Sequence, residues 1–114
     1  MAPAAKIPLE DIFADIKSKT AGFDGSNYHG FLAVEVNLSD IKKVFYVEVK
    51  DGNLSIEPYE YNDRQAKMTI SSSNFVKLIN GKLNGTTAFL TGKLKIDGNI
   101  EKVKELATLL GGEV

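Results

Sequence analysis

Gly-Lys-Leu occurs twice in the 114-residue chain, at Gly81-Lys82-Leu83 and at Gly92-Lys93-Leu94. A glycine beside a lysine is how a nucleotide loop brings backbone N–H groups and an ammonium group to phosphate. That chemistry also needs a glycine five positions ahead of the pair and Ser or Thr directly after it. Val76 and Thr87 stand in the first place and Leu83 and Leu94 in the second, so neither copy is built for phosphate. Nor do they mark an internal repeat, because the first follows a helical pattern and the second opens a strand-like one. Both glycines read instead as helix stops, in the left-handed position that ends a helix.

The other polar candidates also fail on spacing. Asp51-x-Asn53-x-Ser55 and Asp97-x-Asn99-x-Glu101 begin like calcium loops. Such loops require Gly at the sixth position and Glu at the twelfth, where these runs have Ile56 and Asn62, or Lys102 and Thr108. They read as a turn and a helix cap. His29 is the single histidine, without Cys, Asp or Glu at a ligand or relay spacing, which makes it a strand-edge residue rather than a base. Ser71, Ser72 and Ser73 lack the elbow glycines and local base of a nucleophile and suit a helix cap. Glu57, Glu60 and Asp63 lie in a polar stretch, solvated rather than buried as acid–base catalysis needs. No catalytic residue, metal site or cofactor is expected.

Composition narrows the class further. With 14 basic and 15 acidic residues the net charge is -1, whereas nucleic-acid binding wants a basic surface. Cysteine is absent, so disulfides, thiolate nucleophiles and zinc–thiolate sites are excluded. The apolar fraction of 43% and a length suited to one core predict a single ordered domain over residues 1–114. No run approaches the ~18 apolar residues of a membrane span. The start, MAPAAKIPLE, lacks the pattern of a secretory signal, and Gly112-Glu113-Val114 is not a Ser-Lys-Leu type address, so the ends name no compartment.

The elements follow from periodicity. Leu9, Ile12, Phe13 and Ile16 share a helical face, with Pro8 at a first-turn position and Gly22 just past the end, which predicts a helix over 8–20. Period two over 31–38 sets Leu32, Val34, Val36 and Leu38 on one face, a half-buried strand. Phe45, Val47 and Val49, then Leu54 and Ile56 after the turn signal Asp51-Gly52, extend this into an antiparallel meander. EPYEYNDRQ, residues 57–65, reads as a surface loop before a fourth strand with Ala66, Met68 and Ile70. Ser71 caps a short helix with Phe75, Leu78 and Ile79, and Asn84 caps a brief turn with Ala88, Phe89 and Leu90. Leu94 and Ile96 mark a fifth strand, and Asn99 caps a last helix carrying Ile100, Val103, Leu106, Ala107 and Leu110. That apolar stripe is wide for so short a segment. The prediction is an α+β domain: five strands, with the helices collected on one face of the sheet.

Residues 66–106, AKMTISSSNFVKLINGKLNGTTAFLTGKLKIDGNIEKVKEL, resemble the sterol carrier protein type 2 domain family. Its pattern runs strand, Ser-capped helix, Gly-Lys-Leu, capped helical turn, Phe-Leu/Met-x-Gly-Lys-Leu-Lys, then x-Gly and a C-terminal helix. Thr69-Ile70, Phe75, Leu78, Gly81-Lys82-Leu83, Ala88-Phe89-Leu90, Gly92 to Ile96, Gly98 and Leu106 match it without insertion. Lys67, Ser72-Ser73-Asn74 and Gly85 depart from it, all at caps and turns.

The resemblance implies an α+β fold, a mixed, mainly antiparallel five-stranded sheet covered on one face by about five helices, with an apolar tunnel between the layers that binds fatty acid, fatty acyl-CoA, sterol or other lipid, without catalysis. The residues proposed to line it are Ile12, Ile16, Val34, Val36, Val47, Val49, Phe75, Leu78, Ile79, Phe89, Leu90, Val103, Leu106 and Leu110. Lys17, Lys19, Gly22 and Phe23 are the headgroup candidates, and the last helix is a candidate gate. A monomer in peroxisome or cytoplasm, in transient contact with membranes, is expected. Two alternatives stand beside it: a lipid-presenting module of a larger peroxisomal β-oxidation enzyme, and a closed-core domain that dimerises through an edge strand.

Overall fold

A computed structural model describes residues 5–28 and 30–112; His29 lies outside the described residues. The period-two segments become strands β1 (Leu32–Leu38), β2 (Lys43–Lys50), β3 (Asn53–Glu57), β4 (Ala66–Ile70) and β5 (Leu94–Gly98). They form one sheet in the order β3-β2-β1-β4-β5. β1 to β3 are the antiparallel meander that the pattern predicts. Its second turn has Asp51 at φ 53° and Gly52 at φ 78°, the paired positive φ values of a tight hairpin. β4 then lies parallel to β1 and antiparallel to β5.

Parallel pairing of β1 with β4 makes the chain cross the sheet between β3 and β4, and residues 58–65 do this on the face opposite the helices. Tyr61 stacks edge-on against Tyr46 of β2, with ring centroids 5.0 Å apart, and its hydroxyl donates to the Glu48 carboxylate. The Tyr61 N–H donates to Glu35 Oε1 at 2.9 Å. Gln65 finishes the crossing on β1: its N–H donates to the Ala33 carbonyl at 2.8 Å, and its side-chain oxygen accepts from the Ala33 N–H at 2.9 Å.

The crossing corrects the expectation of a half-buried first strand. Ala33 and Glu35, on the face assigned to solvent, are 0% and 3% exposed, because the polar loop lies over them. A buried carboxylate costs several kcal/mol unless it is paired. Glu35 has Lys67 Nζ at 3.7 Å and Arg64 Nη1 at 3.8 Å besides the Tyr61 amide.

The other face carries α1 (Leu9–Thr20), α2 (Ser72–Ile79), α3 (Gly85–Leu90) and α4 (Ile100–Leu109). A 3-10 turn at Gly25–Asn27 replaces the further helix of the predicted five, closed by the Asp24 side chain on the Ser26 N–H. The capping residues are those that the sequence marks. Ser71 accepts from the Asn74 N–H, Asn84 from Thr87 and Asn99 from Glu101. Gly81 and Gly92 take φ of 72° and 80°, the left-handed residues that end α2 and α3.

Phe45 of β2 is the hub of the apolar layer, in edge-to-face contact with Phe13 of α1 at 5.4 Å and Phe75 of α2 at 5.6 Å. A polar clamp fixes the start of α2. The Ser72 N–H and hydroxyl donate to the two Asp40 carboxylate oxygens at 2.8 and 2.7 Å, and Ser72 Oγ accepts from the Ile7 N–H at 2.9 Å. Burial raises the Asp40 carboxyl, but the Ser72 bonds together with the backbone N–H groups of Asp40 and Ile41 outweigh it and hold it below its ordinary value.

Two outcomes follow from the crossing loop. Glu35→Gln should cost about 1–2 kcal/mol in chemical denaturation and speed amide exchange at Tyr61, because a charged acceptor is lost while Arg64 and Lys67 can rehydrate. The bond to Glu48, with burial, pushes the Tyr61 hydroxyl from 10.0 up to about 12. A raised folded pKa gives stability that is complete below pH ~10 and lost as pH rises toward ~12. Thermal melts across that window should show this alkaline decline, and Tyr61→Phe should reduce it, leaving the part that Tyr28, also raised to about 12, and Tyr46 contribute.

Candidate functional site

Cover is uneven along the apolar face. Over β1, β2 and β4 it comes from α1, α2 and α4, and the residues between are closed to solvent: Ile12, Ile16, Val34, Val36, Val47 and Val49 are all 0% exposed. Leu94 and Ile96 of the edge strand β5 have above them the six-residue α3, flanked by the start of α4. Six residues give fewer than two helical turns, too little to fill the space.

A cavity of about 150 Å³ is left there. Leu78 of α2 floors it with Leu94 and Ile96 of β5, α3 contributes Gly85, Thr86, Phe89 and Leu90, and α4 contributes Ile100, Val103, Lys104 and Ala107. Its walls are apolar apart from Thr86 and Lys104. Large apolar groups are exposed at its mouth: Leu90 is 79%, Ile100 42% and Phe89 39% accessible. Exposed apolar groups gathered on a concavity are how ligand sites differ from scattered surface leucines.

The fourteen residues proposed for a tunnel fall into two groups. Leu78, Phe89, Leu90 and Val103 line the cavity, Leu78 and Val103 being buried core residues as well. Ile12, Ile16, Val34, Val36, Val47, Val49, Phe75, Ile79, Leu106 and Leu110 belong to the buried core. The described residues therefore present an open-mouthed cavity at one sheet edge, and no tunnel between the layers. Lys17, Lys19, Gly22 and Phe23 are not in its lining. Lys19 is engaged between α1 and α2, donating to Asn80 Oδ1 at 2.6 Å and pairing with Asp15 at 3.5 Å.

Leu94, Ile96, Ile100, Lys104 and Ala107 are lining residues that the sequence reading passed over. The signal for the α4 members was the width of its stripe. At about 100° per residue, Ile100, Val103 and Ala107 fall on one side of the stripe and Leu106 and Leu110 on the other. The first side faces the cavity and the second the core.

Polar contacts hold α4 in place. The Tyr28 hydroxyl donates to Glu105 Oε2 at 2.8 Å, and Lys102 Nζ donates to the Phe31 carbonyl at 3.0 Å while lying 3.4 Å from Glu105. Burial, then the Glu105 carboxylate, pushes the Tyr28 hydroxyl up to about 12. Lys104 stands at the cavity rim, 3.7 Å from Glu101. Among the described residues no group of three or more His, Cys, Asp or Glu could hold a metal. No helix there is long and apolar enough to cross a membrane.

Residues 17–111 match the model of the SCP-2 sterol transfer family. The chain belongs to that family. Its domain is a sterol-carrier, lipid-binding module of α+β fold, as the resemblance implies. Sterol carrier protein 2 of Bos taurus is 38% identical over 63 residues, covering 55% of this chain and 12% of that protein. Peroxisomal multifunctional enzyme A of Dictyostelium discoideum is 29% identical over 85 residues, covering 74% of this chain and 19% of the enzyme. The chain thus spans a small part of these relatives. The solution structure of palmitated SCP2L2 from Aedes aegypti shares the fold, with a TM-score of 0.62 at 15% identity over 94% of this chain and 97% of that one.

The thin cover predicts a gradient of exchange. Amides of α3 should exchange at least about a hundredfold faster than those of Val34 and Val36, because a short helix with exposed side chains opens locally while the central strand opens only with the whole fold. Hydrogen-exchange mass spectrometry checks this, and equal protection would contradict it.

Proposed function

We propose that the chain is one non-catalytic domain that binds lipids in the cavity beneath α3 and transfers them: fatty acids, fatty acyl-CoA, sterols and phospholipids. The observation that carries this reading is an apolar cavity whose mouth is ringed by exposed Phe89, Leu90 and Ile100. A closed-core domain that dimerises through an edge strand would need no apolar cavity beneath α3. The family match and the palmitated state of the Aedes aegypti neighbour support the ligand class.

Magnitudes constrain how binding works. A cavity of about 150 Å³ is half the lower end of the ~300–1,000 Å³ typical of ligand pockets, and suits a benzene-sized group. On this reading the cavity is narrow at rest, and a full acyl chain enters as α3 moves outward. Burying ~14 methylenes supplies about 11 kcal/mol gross. Ordering and desolvation reduce this to micromolar to nanomolar affinity. Dispersion and apolar burial are non-directional, so chain length and bulk discriminate more than the headgroup does. Lys104 at the rim is the residue for an acidic headgroup, in place of Lys17 and Lys19.

A second reading has its own support. The Dictyostelium relative is named a peroxisomal multifunctional enzyme, and the match spans 19% of it. A domain of this kind within a longer enzyme would present lipid to a catalytic partner, in the peroxisome; acting alone, it would carry lipid in peroxisome or cytoplasm, as a monomer.

Mass spectrometry of lipid extracted from the purified protein, with titration of a fluorescent fatty acid, tests the cavity. Saturable binding that unlabelled palmitate displaces is expected. Ala107→Phe, which fills the cavity from α4, and Thr86→Trp, at its mouth, should each lower affinity at least about tenfold with the fold intact by circular dichroism. Lys104→Glu should weaken a fatty acid about fivefold relative to the matching alcohol. No extracted lipid and no displaceable titration would remove the proposal.

A further inference from the structure

Among the residues that line the cavity, Lys104 is the single ionisable group and Thr86 the single hydroxyl. Lys104 is i+4 to Ile100, so the two share the edge of the α4 face that meets the cavity. A lysine there lays its methylenes along apolar surface and keeps its nitrogen at the water boundary. Its side chain is 45% exposed, with Nζ 3.7 Å from the Glu101 carboxylate.

A primary amine is a nucleophile as well as a charge. Of the lipids proposed for the cavity, free acids, sterols and phospholipids offer it no readily displaced group. A fatty acyl-CoA does, because its acyl group is carried on a thiolate. The chain is apolar and the coenzyme is polar and bulky, so a chain held in the cavity leaves its thioester carbonyl at the mouth. That is where the Lys104 amine stands. Holding two reactants in one complex removes the cost of bringing them together.

We infer that Lys104 is a self-acylation site, whose amine attacks the thioester carbonyl of a bound acyl-CoA and keeps the acyl group as an amide with its chain lodged in the cavity. The Nζ–C bond forms and the C–S bond breaks. The ammonium gives one proton to solvent before the attack, and the departing thiolate takes a second from the same nitrogen. The products are the amide and the free coenzyme thiol, with nothing oxidised or reduced. The step is stoichiometric, because the lining holds no carboxylate, histidine or cysteine to release the amide. Size selects the acyl group. A cavity of about 150 Å³ suits a benzene-sized group, and hence a chain of about six carbons, so a hexanoyl group fits without movement of α3. Acylation then closes the domain with its own ligand: the space is filled, the rim charge is lost and Glu101 loses its partner. Self-acylation rests on the lipid-binding reading of the cavity.

Exposure alone would select other targets. Lys77, Lys82, Lys93 and Lys95 are exposed and form no ion pair among the described residues, whereas Lys104 is half-buried and paired. Unguided chemistry reaches those four first, and only the cavity favours Lys104.

Incubation with hexanoyl-CoA, followed by peptide mass spectrometry, tests the site. The adduct at Lys104 should exceed that at any of the other four lysines at least about tenfold, the advantage of a held reactant. Acetyl-CoA, which has no chain for the cavity to hold, should give Lys104 no such advantage. Excess palmitate, and separately Ala107→Phe, should each remove the excess at Lys104 and leave the other four lysines as they were. Protein acylated by hexanoyl-CoA should bind a fluorescent fatty acid at least about tenfold more weakly than protein treated with acetyl-CoA. Even modification of the five lysines, with the fluorescent fatty acid still bound and displaced by palmitate, would overturn self-acylation and leave lipid binding standing. An excess at Lys104 that palmitate does not suppress would also overturn it, since the amine would then react without the cavity. Even modification together with loss of the fatty-acid titration would overturn both readings.

Discussion

The parallel pairing of β1 with β4 is the constraint from which the other features follow. A strand that returns parallel to its neighbour needs a connection across the sheet, and here that connection is polar and lies on one face. It removes that face from use by helices and buries Glu35, which in turn needs Arg64, Lys67 and the Tyr61 amide. All four α-helices must then share the other face. The carboxylate on β1 and the one-sided helical layer are two results of the same topology.

Four short helices do not cover five strands evenly. The central strands receive the longer ones, whose aromatic contacts converge on Phe45, and the edge strand β5 receives α3. Dense packing over β1 and β2 and open space over β5 are therefore complementary. Val34, Val47 and Phe75 serve the core alone, while Leu78, Leu94 and Val103 at its border are core residues that also wall the cavity, with the half-buried Ile96 beside them.

This division explains what could be read from the chain. Helix limits were legible because Ser71, Asn84 and Asn99 act within three residues of themselves, and Gly81 and Gly92 act through their own φ. Strand faces were legible wherever one face meets water. Ala33 and Glu35 were misassigned because the loop that covers them is polar in sequence and comes about 25 residues later. Whether an apolar residue packs or lines was not legible: Leu106 and Val103 look alike in the sequence of α4, and only the position of β5 separates them. Lys104 was passed over for the same reason, since its relation to the cavity depends on how α4 is rotated.

On the proposed reading, the placement of the mouth bears on the rate of transfer as well as on affinity. A chain of ~14 methylenes that passes through water would expose apolar surface worth about 11 kcal/mol, so an aqueous route would be slow however tightly the cavity binds. A mouth that opens as α3 moves outward lets methylenes enter the cavity one after another, so that few are hydrated at once. α3 suits that route: two of its exposed side chains, Phe89 and Leu90, are compatible with lipid, and its few bonds to the rest of the fold make outward movement cheap. The same thinness that leaves the cavity small at rest allows it to widen, and a thicker lid would increase stability at the expense of exchange.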